Sequence, residues 1–167
     1  MESLKSGDTF EDKEQVKVET KILSADELLE IIYKGNSLPQ DTRFLPLEEG
    51  GVFKYFYPRD VVEIDGSSSK KLFPVICEAG KIVGLSELEQ DPKNAQNFWI
   101  KFVSVDPEYQ SRGYASELLR QIFQFAKDNG YTLEPSYYSE QGLEKLKSVI
   151  EKLSAETGVN LVNRRNS

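Results

Sequence analysis

The chain has 167 residues, 38% of them hydrophobic and 29% charged, enough for one packed core and too polar for a membrane-embedded protein. It carries a net charge of −7, a single cysteine and no histidine. These counts exclude an internal disulfide, Ser-His-Asp or Cys-His nucleophile activation, and zinc sites that need histidine; no metal site is expected. They also argue against a nucleic-acid partner, which wants clustered Lys and Arg rather than the isolated pairs Lys70-Lys71 and Arg164-Arg165.

Residues 1–14 are polar, charged and aperiodic, and read as a disordered tail. They lack a signal-peptide layout, and no apolar run is long enough to span a bilayer, so a cytoplasmic location is expected. Residues 15–167 read as one domain, best supported over 72–162. Residues 16–22 alternate as a short strand. Ser24-Ala25-Asp26-Glu27 is a capping box, followed by a helix with Ala25, Leu28, Leu29 and Ile32 on one face and Gly35 as its stop.

The stretch 36–51 reads as loop, and residues 52–57 and 61–64 as strands. Leu72 to Glu78 and Lys81 to Leu88 form a hairpin across Ala79-Gly80, with Cys77 a buried core residue. Gln90 to Asn94 reads as a loop, and Phe98 to Val105, β-branched and aromatic, as the strongest strand. Three consecutive antiparallel strands are therefore expected.

A long helix follows, with Ala115, Leu118, Leu119, Ile122, Phe123 and Ala126 at helical spacing and Asn129-Gly130 as its end. Tyr131 to Glu134 reads as a strand. Ser139 caps a last helix whose face is Leu143, Leu146, Ile150 and Leu153, with Gly158 as its stop; Val159 to Val162 reads as an edge strand.

Chemistry concentrates where the strongest strand meets the long helix, at Gln110-Ser111-Arg112-Gly113-Tyr114-Ala115. The first helical turn has amides with no intrahelical partner, and the dipole adds positive charge there. Gly113 has no Cβ, so an anion can approach the backbone. Arg112 can add a charge-assisted contact and Ser116 a hydroxyl. The pattern suits a pyrophosphate, and the strand before it and helix after it supply the setting it needs.

The segment Val103 to Leu119, with Val105-x-Pro107, Gln110-x-x-Gly113-x-Ala115 and Leu118-Leu119, resembles the acetyl-CoA-binding motif of the GNAT N-acetyltransferases. The looser resemblance runs from about Leu72 to Val162. It implies an α+β fold (three-layer α/β in some schemes), a mixed, largely antiparallel central sheet flanked by helices. It implies acetyl-CoA as co-substrate and a primary amine, small molecule or protein, as acceptor. Backbone groups of Val103 and Val105 would pair with the pantetheine arm. An amide near Phe102 or Val103 would polarise the thioester carbonyl, and amides from Ser111 to Ser116 would hold the pyrophosphate.

The catalytic end departs from the family pattern. No tyrosine stands near Leu146, where the family often places its acid; Tyr138, or Tyr137, is the substitute, and Ser139 stands near the family's usual asparagine. Glu134 is the preferred base, with Glu87 and Glu89 as alternatives. The aromatic cluster Tyr55 to Tyr57 suits a core or an acceptor pocket. An acyl-CoA-binding module with little catalysis, or an acidic partner-binding protein, are the competing readings.

Overall fold

The computed structural model describes residues 17–33, 70–136 and 143–162. Five strands form one sheet in the order β1-β2-β3-β4-β5: β1 Val18–Ser24, β2 Lys71–Glu78, β3 Lys81–Asp91, β4 Asn94–Val105 and β5 Thr132–Pro135. The first four pair antiparallel and β5 joins β4 in parallel. Among the described residues, three helices flank the sheet: α1 Ala25–Tyr33, α2 Tyr114–Asn129 and α3 Lys147–Thr157. The fold is the expected mixed, largely antiparallel sheet with helices.

The period-2 alternation of the strands assigns the two faces. Ile76, Val83, Leu88, Ile100 and Val103 meet α2 and α3, whose buried stripe is Leu118, Leu119, Ile122, Phe123, Ala126, Ile150 and Leu153. Val75, Cys77, Leu85 and Phe102 face the other way and pack with Leu28 of α1. Each fully buried aliphatic or Phe side chain contributes about 1.5–3 kcal/mol, so the α2 stripe alone anchors that helix.

Local signals behave as the sequence dictates. Ser24 and Glu27 close the capping box reciprocally, the Glu27 amide donating to the Ser24 hydroxyl at 3.1 Å and the Ser24 amide to Glu27 Oε1 at 2.8 Å. Gly130 and Gly158 terminate α2 and α3 in left-handed conformations. Cys77 is buried, and burial pushes its thiol up, which suits packing rather than nucleophilic attack.

Three expectations change. The loop expected at Gln90 to Asn94 shrinks to a turn, because the Lys93 amide donates to Asp91 Oδ1 at 2.8 Å and both strands run to its edges. The last helix opens with a 3-10 turn, Leu143–Leu146. The expected edge strand at Val159 to Val162 is a single bridge, Leu133 to Leu161. The strands read at 52–64, the tail, the Gly35 stop and the Ser139 cap lie outside the described residues.

Close packing at the sheet centre gives a stability prediction. A Cβ on Gly84 would stand 2.5 Å from Ile76 Cγ2 and 3.1 Å from Leu118 Cδ1. Ile76 is β-branched and fully buried, so it yields poorly. Gly84→Ala is expected to destabilise the protein by about 1–3 kcal/mol, read as a lowered denaturant midpoint; an unchanged midpoint contradicts this packing.

Candidate active site

The candidate site lies where β4 and β5 part. Strand β5 follows β4 only from Asn97 to Ile100, and the Ser136 amide makes the final contact, to the Ile100 carbonyl at 3.1 Å. Beyond it, no described strand lies beside residues 101–105 on that side, while β3 continues to pair on the other. At the same place β4 bulges: Glu87 opposes Phe102 and Leu88 opposes Ile100, leaving Lys101 as the extra residue. A bulge beside a strand edge re-aims backbone groups.

The open part of β4 leads into the glycine loop. Asp106 caps a 3-10 turn, Pro107–Tyr109, by accepting from the Glu108 amide at 3.0 Å. Gln110 turns back, its Nε2 donating to the Val105 carbonyl at 3.0 Å. Ser111 and Gly113 both take left-handed backbone, φ 72° and φ 81°. Gly113 is the N-cap of α2, and no side chain caps that helix start. Glu117 donates the first backbone bond, to the Gly113 carbonyl at 3.0 Å. The amides of Tyr114, Ala115 and Ser116 precede it in the uncapped first turn, at the positive end of the helix dipole. A Cβ on Gly113 would meet nothing of the described residues within 4 Å beyond its chain neighbours, so the loop backbone is open to an approaching group.

Phe102 and Val103 are buried on opposite faces of β4. The Phe102 carbonyl accepts from the buried Ser86 hydroxyl at 2.6 Å, which fixes the bulged backbone. Arg112 and Tyr114 point to β2: the Arg112 guanidinium reaches Glu78 Oε1 at 2.9 Å and Oε2 at 3.2 Å, and the Tyr114 hydroxyl donates to Oε1 at 2.5 Å. The Tyr114 bond and then the Arg112 contacts hold the Glu78 carboxyl below the usual range; the same bond pushes the Tyr114 phenol up.

A second set of polar groups occupies the face of the sheet away from α2. Lys71, Glu89, Trp99 and Glu134 stand in register across β2, β3, β4 and β5. Glu134, 6% exposed, accepts from Asn97 Nδ2 at 2.9 Å, and the Thr132 hydroxyl donates to Asn97 Oδ1 at 2.7 Å. Lys71 pairs with Glu87 at 3.5 Å and Lys101 with Glu89 at 3.2 Å. Burial pushes the Glu87 carboxyl up, opposed by Lys71 and Lys101.

The structure thus brings together Phe102, Val103, Val105 and Gln110 to Ser116 along one path, and sets Glu134 on the strand at the fork. Tyr137 and Tyr138 lie outside the described residues. Sequence reasoning missed Glu78, Asn97 and Ser86, since each acts through a partner 16 or more positions away.

Comparison with known proteins agrees with this fold. The chain resembles, in fold, the ribosomal-protein-S18-alanine N-acetyltransferase of Escherichia coli, at 14% identity and TM-score 0.52 over 82% of this chain and 76% of that one. It is similar to the ribosomal-protein-alanine N-acetyltransferase of Brucella melitensis, at 13% identity and TM-score 0.52 over 80% and 90%. It is also similar to a possible acetyltransferase of Clostridium difficile, at 19% identity and TM-score 0.52 over 82% and 89%. A search of the curated proteins finds no match. The model of the acetyltransferase (GNAT) family matches residues 38–138, over half of the chain, and spans the forked strands and the glycine loop. The chain belongs to the acetyltransferase (GNAT) family.

Proposed function

We propose that this protein moves an acetyl group from acetyl-CoA to a primary amine by direct attack on the thioester. The observation that carries the proposal is the fork: a stretch of β4, residues 101–105, with no described strand on its β5 side, that runs into an uncapped helix start opened by Gly113. An extended arm with amide groups fits beside such a strand edge, and a pyrophosphate fits the amides of Ser111 to Ser116. Acetyl-CoA has both parts and supplies the activated acetyl group.

The chain's own residues then have distinct tasks. Backbone groups of Val103 and Val105 hold the arm, and the amide near Phe102 or Val103, held by the Ser86 contact, stabilises developing negative charge. Glu134 accepts the proton of the amine, directly or through a water, and Tyr138 returns a proton to the departing sulfur. No acyl-enzyme is required, which suits a chain without histidine.

The acceptor is an amine on a protein or on a small molecule. Relatives in fold are named for a ribosomal-protein alanine and, at 15% identity and TM-score 0.50, for an aminoglycoside. The overall negative charge favours a cationic acceptor. Binding without turnover is the second reading, favoured by the near-complete burial of Glu134 in its bond to Asn97. No described helix is long and apolar enough to cross a membrane.

Acetyl-CoA at a hundredfold over its Kd is expected to stabilise the folded state by about 2.7 kcal/mol, raising Tm by roughly 5–10 °C for a chain of this size. An unmoved Tm sinks both readings. Release of free CoA thiol with a panel of amines then separates them: turnover supports transfer, and binding without release supports the second.

A further inference from the structure

We propose that Glu78 is the positioning residue of the glycine loop, and that Arg112 serves as its strut rather than as a ligand of the phosphates. The inference rests on the loop being the cofactor cradle. Two donors flanking Gly113 converge on this one carboxylate: Arg112 from the loop and Tyr114 from the first helical position. They reach across 34 and 36 positions of chain to the end of β2.

The loop needs such a brace. Ser111, which is not a glycine, sits at φ 72°, and Gly113 at φ 81°. Left-handed backbone at a residue with a Cβ persists only where its surroundings hold it. The bonds on hand are the Gln110 return to Val105 and the Glu78 contacts. The Arg112 guanidinium also lies over the Tyr109 ring at 4.8 Å, which fixes its plane. Arg112 is therefore held on both sides, by a ring and by a carboxylate, in a chain segment whose other residues from Gln110 to Ser116 carry no charge.

Glu78 is well placed to act as the anchor. It ends β2 at the tight hairpin Ala79-Gly80, whose residues both take positive φ, 54° and 82°. That hairpin is tied to the N-terminal strand by the Ala79 amide, which donates to the Lys17 carbonyl at 2.9 Å. The Glu78 side chain is only 17% exposed, against 48% for Arg112. A largely covered carboxylate thus holds a more exposed cation.

The test uses the full chain with Glu78→Gln, Glu78→Arg, Arg112→Glu and the double charge swap. In the unliganded protein, backbone order parameters for Ser111 to Tyr114 are expected to fall from the rigid range, about 0.85, toward 0.6 in Glu78→Gln. Affinity for CoA is expected to weaken roughly three- to tenfold in that variant, with kcat at saturating acetyl-CoA unchanged. Each charge reversal weakens binding further, and the swap restores it to within a few-fold of the parent.

Tighter binding in Glu78→Gln with an unchanged loop overturns the proposal, since Glu78 would then only repel phosphate. A swap that restores nothing also overturns it, since Arg112 would then contact the ligand itself. If the parent protein binds no CoA, the functional reading fails, and the order parameters still decide the clamp.

Discussion

Gly113→Glu is expected to lower acetyl-CoA affinity at least a hundredfold while leaving a folded protein. Two separate effects act at this position. The backbone there has φ 81°, which costs a residue with a Cβ about 1–2 kcal/mol. That strain alone is a modest loss of stability. The larger effect is on binding. Apart from its chain neighbours, no atom of the described residues lies within 4 Å of where the Cβ would stand, so the new side chain extends into open space at the helix start. It fills the room that a phosphate needs and sets a carboxylate against it in the field of the α2 amides. Gly113→Ala, with the strain and little of the bulk or charge, should lose roughly three- to tenfold. Calorimetric titration with acetyl-CoA measures both variants, and circular dichroism confirms folding. A folded Gly113→Glu protein with normal affinity would show that the pyrophosphate is held elsewhere.

Glu134→Gln is expected to reduce kcat at neutral pH by roughly a hundredfold or more, the scale of a lost general base. The KM for acetyl-CoA should stay within about threefold, because Glu134 lies on β5 rather than in the loop. Glutamine keeps the shape, and its oxygen can still accept from Asn97, so the Asn97–Thr132 contacts survive. The deficit should shrink as pH rises, because the acceptor amine then loses its proton unaided. Kinetics across pH 6 to 10 check this. Unchanged kcat at pH 7 would remove Glu134 from the chemistry and turn attention to Glu87, whose carboxyl burial already pushes up.

How far the sequence could be read follows from the range of each interaction. The Ser24–Glu27 box and the α2 stripe are set by residues three or four apart, and both are as expected. The glycine loop is local too: Gln110, Gly113 and Ala115 carry it within six positions. Strand ends were harder. Asp91 and Asn94 look like loop residues by type, yet one Asx contact lets the strands continue around them. The bulge at Lys101 leaves no trace in composition, because it arises from register with β3. The contacts of Glu78 and Glu134 join residues 34 to 37 positions apart, and no periodicity reports such pairs. Motif reading therefore reaches the loop proposed as the cradle, while its contacts with Glu78 and the groups that adjoin the fork needed the fold.

The fork also bears on the protein's lifetime. Among the described strands, the end of β4 at residues 101–105 has a partner on its β3 side only, so a ligand laid along it would extend the sheet there. A bound arm there would seal the sheet from solvent and slow the local opening on which proteases act. Supply of the ligand and persistence of the enzyme then become one variable. Starved of it, the pool of protein would shrink; well supplied, it would accumulate, with no change in synthesis.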